Sequence, residues 1–72
     1  MYAFIYQVIQ NNGVAEMRVK LYEDWRRAVK IMQDEYEDRL WRVDGREFEY
    51  KGTVSCTIKT KDTTYDWSII ML

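Results

Sequence analysis

Residues 3–22, AFIYQVIQ-NNG-VAEMRVKLY, constrain this 72-residue chain more than any other stretch. Two runs rich in β-branched and aromatic residues flank Asn12-Gly13. Asn-Gly is the strongest short hairpin signal, because a type I′ turn needs positive φ at both central residues. With those two residues as the loop, Asn11 pairs with Val14, Val8 with Met17, Tyr6 with Val19 and Phe4 with Leu21. One face is then apolar throughout, while the other pairs Ile9 with Glu16, Gln7 with Arg18 and Ile5 with Lys20. A slip of one residue would exchange the two faces.

A second hairpin is expected from TVSCTIKT and TYDWSIIML around Lys61-Asp62. Pairing Thr60 with Thr63 sets Ile58 opposite Tyr65, Cys56 opposite Trp67 and Val54 opposite Ile69. The other face then carries Thr53, Ser55, Thr57, Lys59, Asp66 and Ser68. The preceding EFEYK alternates Phe48 and Tyr50 with charges. It either extends the third strand through a bulge at Gly52 or forms a short strand of its own.

Between the hairpins, Trp25, Ala28, Val29, Met32, Tyr36 and Leu40 recur at helical spacing and form one apolar stripe. Asp24 suits the N-cap, Glu23 and Asp24 suit the positive dipole end, and Asp44-Gly45 marks the stop or the turn beyond it. A helix of about 17 residues spans roughly 25 Å, close to the length of an eight-residue strand. The expected fold is therefore α+β: an antiparallel sheet of two hairpins with one helix across one face, in the order ββαββ. Residues 1–72 make a single domain.

A chain this short buries little surface, so large side chains matter. Three Trp, six Tyr and two Phe supply apolar area. The 32 % charged fraction and the break of MYAFIYQVI at Gln7 argue against a membrane segment, and the lone cysteine fits a reducing, cytoplasmic setting.

The sequence contains no histidine, hence neither the commonest general base nor the usual zinc ligand. Cys56 is directed into the core beside Trp67, where a thiol behaves as a small hydrophobe. Asp34 and Asp38 share a helix face, but an open helical surface offers no cleft in which to shift a pKa or wrap a metal. The expectation is a non-enzymatic protein with no cofactor and no metal site.

Charge is polarised along the chain. Residues 1–33 carry +2, residues 34–49 carry −4 and residues 50–72 carry +1. Asp34, Glu35, Glu37 and Asp38 fall in the second half of the helix, where negative charge opposes the dipole. Lys30–Asp34 is the weaker orientation of an i,i+4 pair, and Asp34–Asp38 is repulsive. Glu47 and Glu49 join this patch if the turn at Asp44-Gly45 folds the chain back. Two readings compete: a solvated face neutralised by Arg42 and Arg46, or a docking surface for a protein partner with a basic surface.

The docking reading points to a stoichiometric inhibitor or adaptor of phage or mobile-element type. It would work in the style of the small anti-CRISPR proteins that block a nucleic-acid-binding host machine. The alternative is a structural homodimer using the outer sheet face, where Ile5, Ile9, Tyr22, Ile70 and Leu72 are expected among Arg18, Lys20, Thr57 and Lys59. Direct binding of single-stranded nucleic acid by that face is disfavoured, since Tyr22 is its one expected exposed aromatic.

Overall fold

The computed structural model describes residues 1–72. Strands β1 (Tyr2–Gln10) and β2 (Gly13–Tyr22) precede helix α1 (Trp25–Leu40), and strands β3 (Arg46–Lys51), β4 (Ser55–Thr60) and β5 (Thr63–Met71) follow it. All five strands join one antiparallel sheet in the order β2-β1-β5-β4-β3. The class is α+β, with three strands after the helix rather than two. EFEYK takes the second of its two expected forms, a separate strand paired to β4 at the sheet edge.

The helix begins where the sequence places it. Asp24 has extended backbone geometry, and its carboxylate accepts a hydrogen bond from the Arg26 amide at 3.0 Å. Ala28, Met32 and Tyr36 of the stripe are buried, with Trp25, Val29 and Leu40 packed at the margins. The chain then reverses through residues 41–45, where Gly45 adopts φ +69°, a value that glycine takes without steric cost.

The core is built where β1, β5 and β4 pass beneath the helix. Phe4 and Tyr6 of β1, Trp67 and Ile69 of β5, and Cys56 and Ile58 of β4 are all buried there. Trp67 is its centre: the ring centroid lies 5.0 Å from that of Tyr6 and 5.9 Å from that of Tyr36, the latter edge-on. The second hairpin has the expected register, with Ile58 opposite Tyr65 and Cys56 opposite Trp67. Thr60 and Thr63 close its turn through hydroxyl–backbone hydrogen bonds. Val54 lies just outside β4 and is exposed, yet its carbonyl accepts from the Ile69 amide at 2.9 Å.

The first hairpin departs from its expected register. The loop is Asn11-Asn12, Gln10 pairs with Gly13, and Gly13 takes φ +117°. The register then shifts between Ile9↔Val14 and Val8↔Glu16, leaving Ala15 as an extra residue on β2. Beyond it Tyr6 pairs with Arg18 and Phe4 with Lys20, where Val19 and Leu21 were expected. Every side chain from Glu16 to Tyr22 thus points to the opposite face from that expected.

This inversion follows from where β2 lies. Five strands spaced about 4.8 Å apart are wider than the roughly 10 Å helix, so the helix cannot shelter the outermost strand. On the helix side of β2, Arg18 and Lys20 lay their stems along aromatic rings and keep their charged ends wet. The Arg18 guanidinium sits 5.2 Å from the Tyr6 ring centroid, and the Lys20 ammonium 5.4 Å from that of Tyr22.

Burial pushes the Cys56 thiol above its usual 9.0, and burial likewise raises Tyr6 and Tyr36 above 10.0, partly offset at Tyr6 by Arg39. Each group is held neutral in the folded chain, so above its ordinary value the unfolded chain binds fewer protons than the folded one. Stability from these groups is complete below 9.0 and is lost as pH rises past it and through their raised values. The urea midpoint is expected to be flat near neutrality and to fall above 9.0, with the first part of the fall absent in Cys56→Ala. A midpoint that rises in that range would refute the burial of these groups.

Candidate protein-binding surfaces

The acidic segment of the helix is paired internally. Asp34 accepts from Lys30 at 2.9 Å and Asp38 from Arg42 at 3.3 Å, both one helical turn away. Glu37 is bound by Lys51 of β3, and that hydrogen bond raises the Lys51 pKa above the usual lysine value. Glu49 lies 3.7 Å from Arg46, whose guanidinium also donates to the Leu40 carbonyl. Glu47 is the exposed extra residue at a register shift in β3 and forms no ion pair.

Glu35 differs from its neighbours. It turns toward β2, where it receives the Arg18 guanidinium, and it also accepts the indole N–H of Trp67 at 3.3 Å. One carboxylate therefore joins the helix to an edge strand and to the centre of the core. The acid that looks misplaced on the helix is matched by cations from the sheet at Arg18 and Lys51, and by Lys30 and Arg42 nearby. Exposed pairs of this kind each contribute little, about 0–1 kcal/mol. They nonetheless neutralise the patch expected to attract a basic partner.

A shallow groove of about 430 Å³ runs along the same side, lined by Trp25, Val29, Lys30, Gln33, Glu37 and Lys51 among others. Glu37 and Lys51 meet across it, Lys30 pairs with Asp34 along its helix wall, and Gln33 donates to the Gly52 carbonyl at 2.9 Å. No three His, Cys, Asp or Glu side chains converge in metal-holding geometry.

The opposite face of the sheet is uncovered, and the inverted register loads it with apolar groups. Val14, Met17, Val19 and Leu21 of β2 and Ile70 of β5 lie on it, each 49–59 % exposed. Ile5 and Ile9 of β1 lie between them, half-buried, as expected of this face. Arg18, Lys20 and Tyr22, expected here, instead occupy the helix side, for the register reason given above. At the far edge Phe48 and Tyr50 of β3 pair with Lys59 and Thr57 of β4, so both rings stand on the open face, half-exposed.

Charge is almost absent from this face. Among the paired strand residues it carries Lys59 and Asp66, and Asp66 already accepts a hydrogen bond from Thr57 at 2.9 Å. Sequence reasoning missed Met17, Val19 and Leu21 by placing them inside, and missed Phe48 and Tyr50 by leaving their strand open. The alternation of β2 does carry the signal, but only once the side sheltered by the helix is known. Trp41, at the helix C-cap and 86 % exposed, was also passed over.

No helix is long and apolar enough to cross a membrane. In comparisons with known proteins, no family model, no curated protein and no solved structure matches the chain.

Proposed function

We propose that this chain is a non-enzymatic protein-binding module whose contact surface is the open face of the sheet. It acts stoichiometrically, as an inhibitor or adaptor does, by occupying a complementary surface. The observation that carries this reading is the apolar, nearly uncharged field formed by β2, β1 and Ile70 on the uncovered side. Charge depletion with retained aliphatic and aromatic groups marks the centre of protein interfaces. Contiguous exposed apolar surface of this kind marks an interaction site. The acidic helix face, favoured by charge run alone, has the weaker claim because its carboxylates are already paired.

The test is positional photo-cross-linking in the source cell, with a photoreactive residue placed singly at Met17, Val19, Asp34 or Asp38. Adducts are expected from positions 17 and 19 and not from 34 and 38. Adducts confined to the helix positions would return the contact to the acidic face and overturn the reading, as would an absence of adducts at the sheet positions.

A further inference from the structure

From the shape, charge and edges of the sheet we infer that the occupant of the open face is a second copy of this chain, stacked face to face. This rests on the reading just given and names the partner. Three observations support it.

The first is area. The backbone forms a slab of 35 × 23 × 14 Å, and its broad face is the open sheet. A face of those dimensions projects to about 800 Å², large enough to supply one partner's share of a standard-size interface.

The second is charge. Among its paired residues the face carries only Lys59 and Asp66, so stacking buries one charge of each sign per chain. A dissimilar partner recruited by electrostatic steering would find almost nothing to hold on this face.

The third is the state of the edges. Both edge strands carry a register shift that leaves an extra residue, Ala15 in β2 and Glu47 in β3. Both also direct charged side chains to the helix side: Arg18 and Lys20 from β2, Glu49 and Lys51 from β3. Bulges and inward-pointing charges are devices that block strand-to-strand addition. With its edges guarded and its face bare, the sheet associates by stacking.

Aligned sheets pack about 10 Å apart at roughly −30°. A two-fold axis crossing the strands lays β2 over β2 of the second copy, aliphatic half on aliphatic half. A two-fold axis along the central strand would instead set the aliphatic edge over the Phe48 edge. The crossing axis is therefore assigned, with β2 of each copy covering that of the other.

Sedimentation equilibrium of the purified full chain is expected to give twice the 8.8 kDa chain mass. In Met17→Lys/Val19→Lys the mass is expected to halve with an unchanged circular dichroism spectrum, while Asp34→Lys/Glu37→Lys stays dimeric and molar salt leaves the dimer intact. Because native Cys56 is buried, a bifunctional maleimide is expected to join two copies of Val19→Cys into a covalent dimer, and not two copies of Lys30→Cys.

A wild-type chain at single mass at the highest attainable concentration would overturn the inference, and so would a dimer that persists in Met17→Lys/Val19→Lys. Photo-adducts from positions 17 and 19 to a different protein would then leave the binding reading standing with the occupant corrected. If those adducts are absent too, both fall.

Discussion

Trp67→Ala is expected to cost about 3–5 kcal/mol, the range for truncating a buried tryptophan. A 72-residue domain has only about 4–11 kcal/mol of stability in total. The variant should therefore be largely unfolded, or unfold at low urea, at 25 °C. The expected size follows from position. Trp67 is 1 % exposed, contacts Tyr6 on β1 and Tyr36 on the helix, and pairs with Cys56 on β4. Its removal opens a cavity at the point where three strands and the helix meet, and no neighbour is free to fill it. A urea midpoint shifted by less than the equivalent of about 1 kcal/mol would mean that the core is not organised around this ring.

Glu35→Ala is expected to cost about 1–3 kcal/mol, whereas Asp34→Ala, one residue away, is expected to lie within about 0.5 kcal/mol of wild type. The difference arises from partners. Asp34 loses a solvent-exposed i,i+4 pair with Lys30 and a repulsion with Asp38. Glu35→Ala leaves the buried Trp67 indole N–H without its acceptor and strips Arg18 of its counterion above Tyr6. Thermal or urea unfolding of the two variants side by side checks this, and equal costs would show that the Glu35 bridge contributes nothing beyond an ordinary surface charge.

The parts of the fold legible in the sequence are those whose determinants are local. The N-cap at Asp24, the apolar stripe of the helix and the Thr60/Thr63 turn each depend on residues within a few positions of one another. The register of β4 against β5 followed because both strands lie under the helix, so one face must be apolar. In β2 the same logic misled. VAEMRVKLY alternates equally well in either register, and which side is sheltered depends on strand order, a long-range property. The Asn-Gly signal located the turn, but Gly13 begins β2 instead of closing the loop, and the extra residue at Ala15 then fixed the opposite facing. The acid of the helix was likewise visible as a run of charge. Its partners Arg18 and Lys51 lie on strands before and after it, and only the folded chain brings them together.

The seam between β1 and β5 sets how the molecule must assemble. It pairs Tyr2 with Met71 and joins a hairpin plus helix to a three-strand meander. Each half forms from neighbouring residues, yet neither encloses a core by itself, since Phe4 and Tyr6 meet Ile69 and Trp67 only across the seam. Closing so long a loop adds little to its entropic cost, which grows with the logarithm of length, but it delays folding until the most distant strands find each other. The core therefore closes only when the two halves meet along this seam. The backbone amides of the seam are expected to exchange with solvent only on global unfolding, which native-state hydrogen exchange checks.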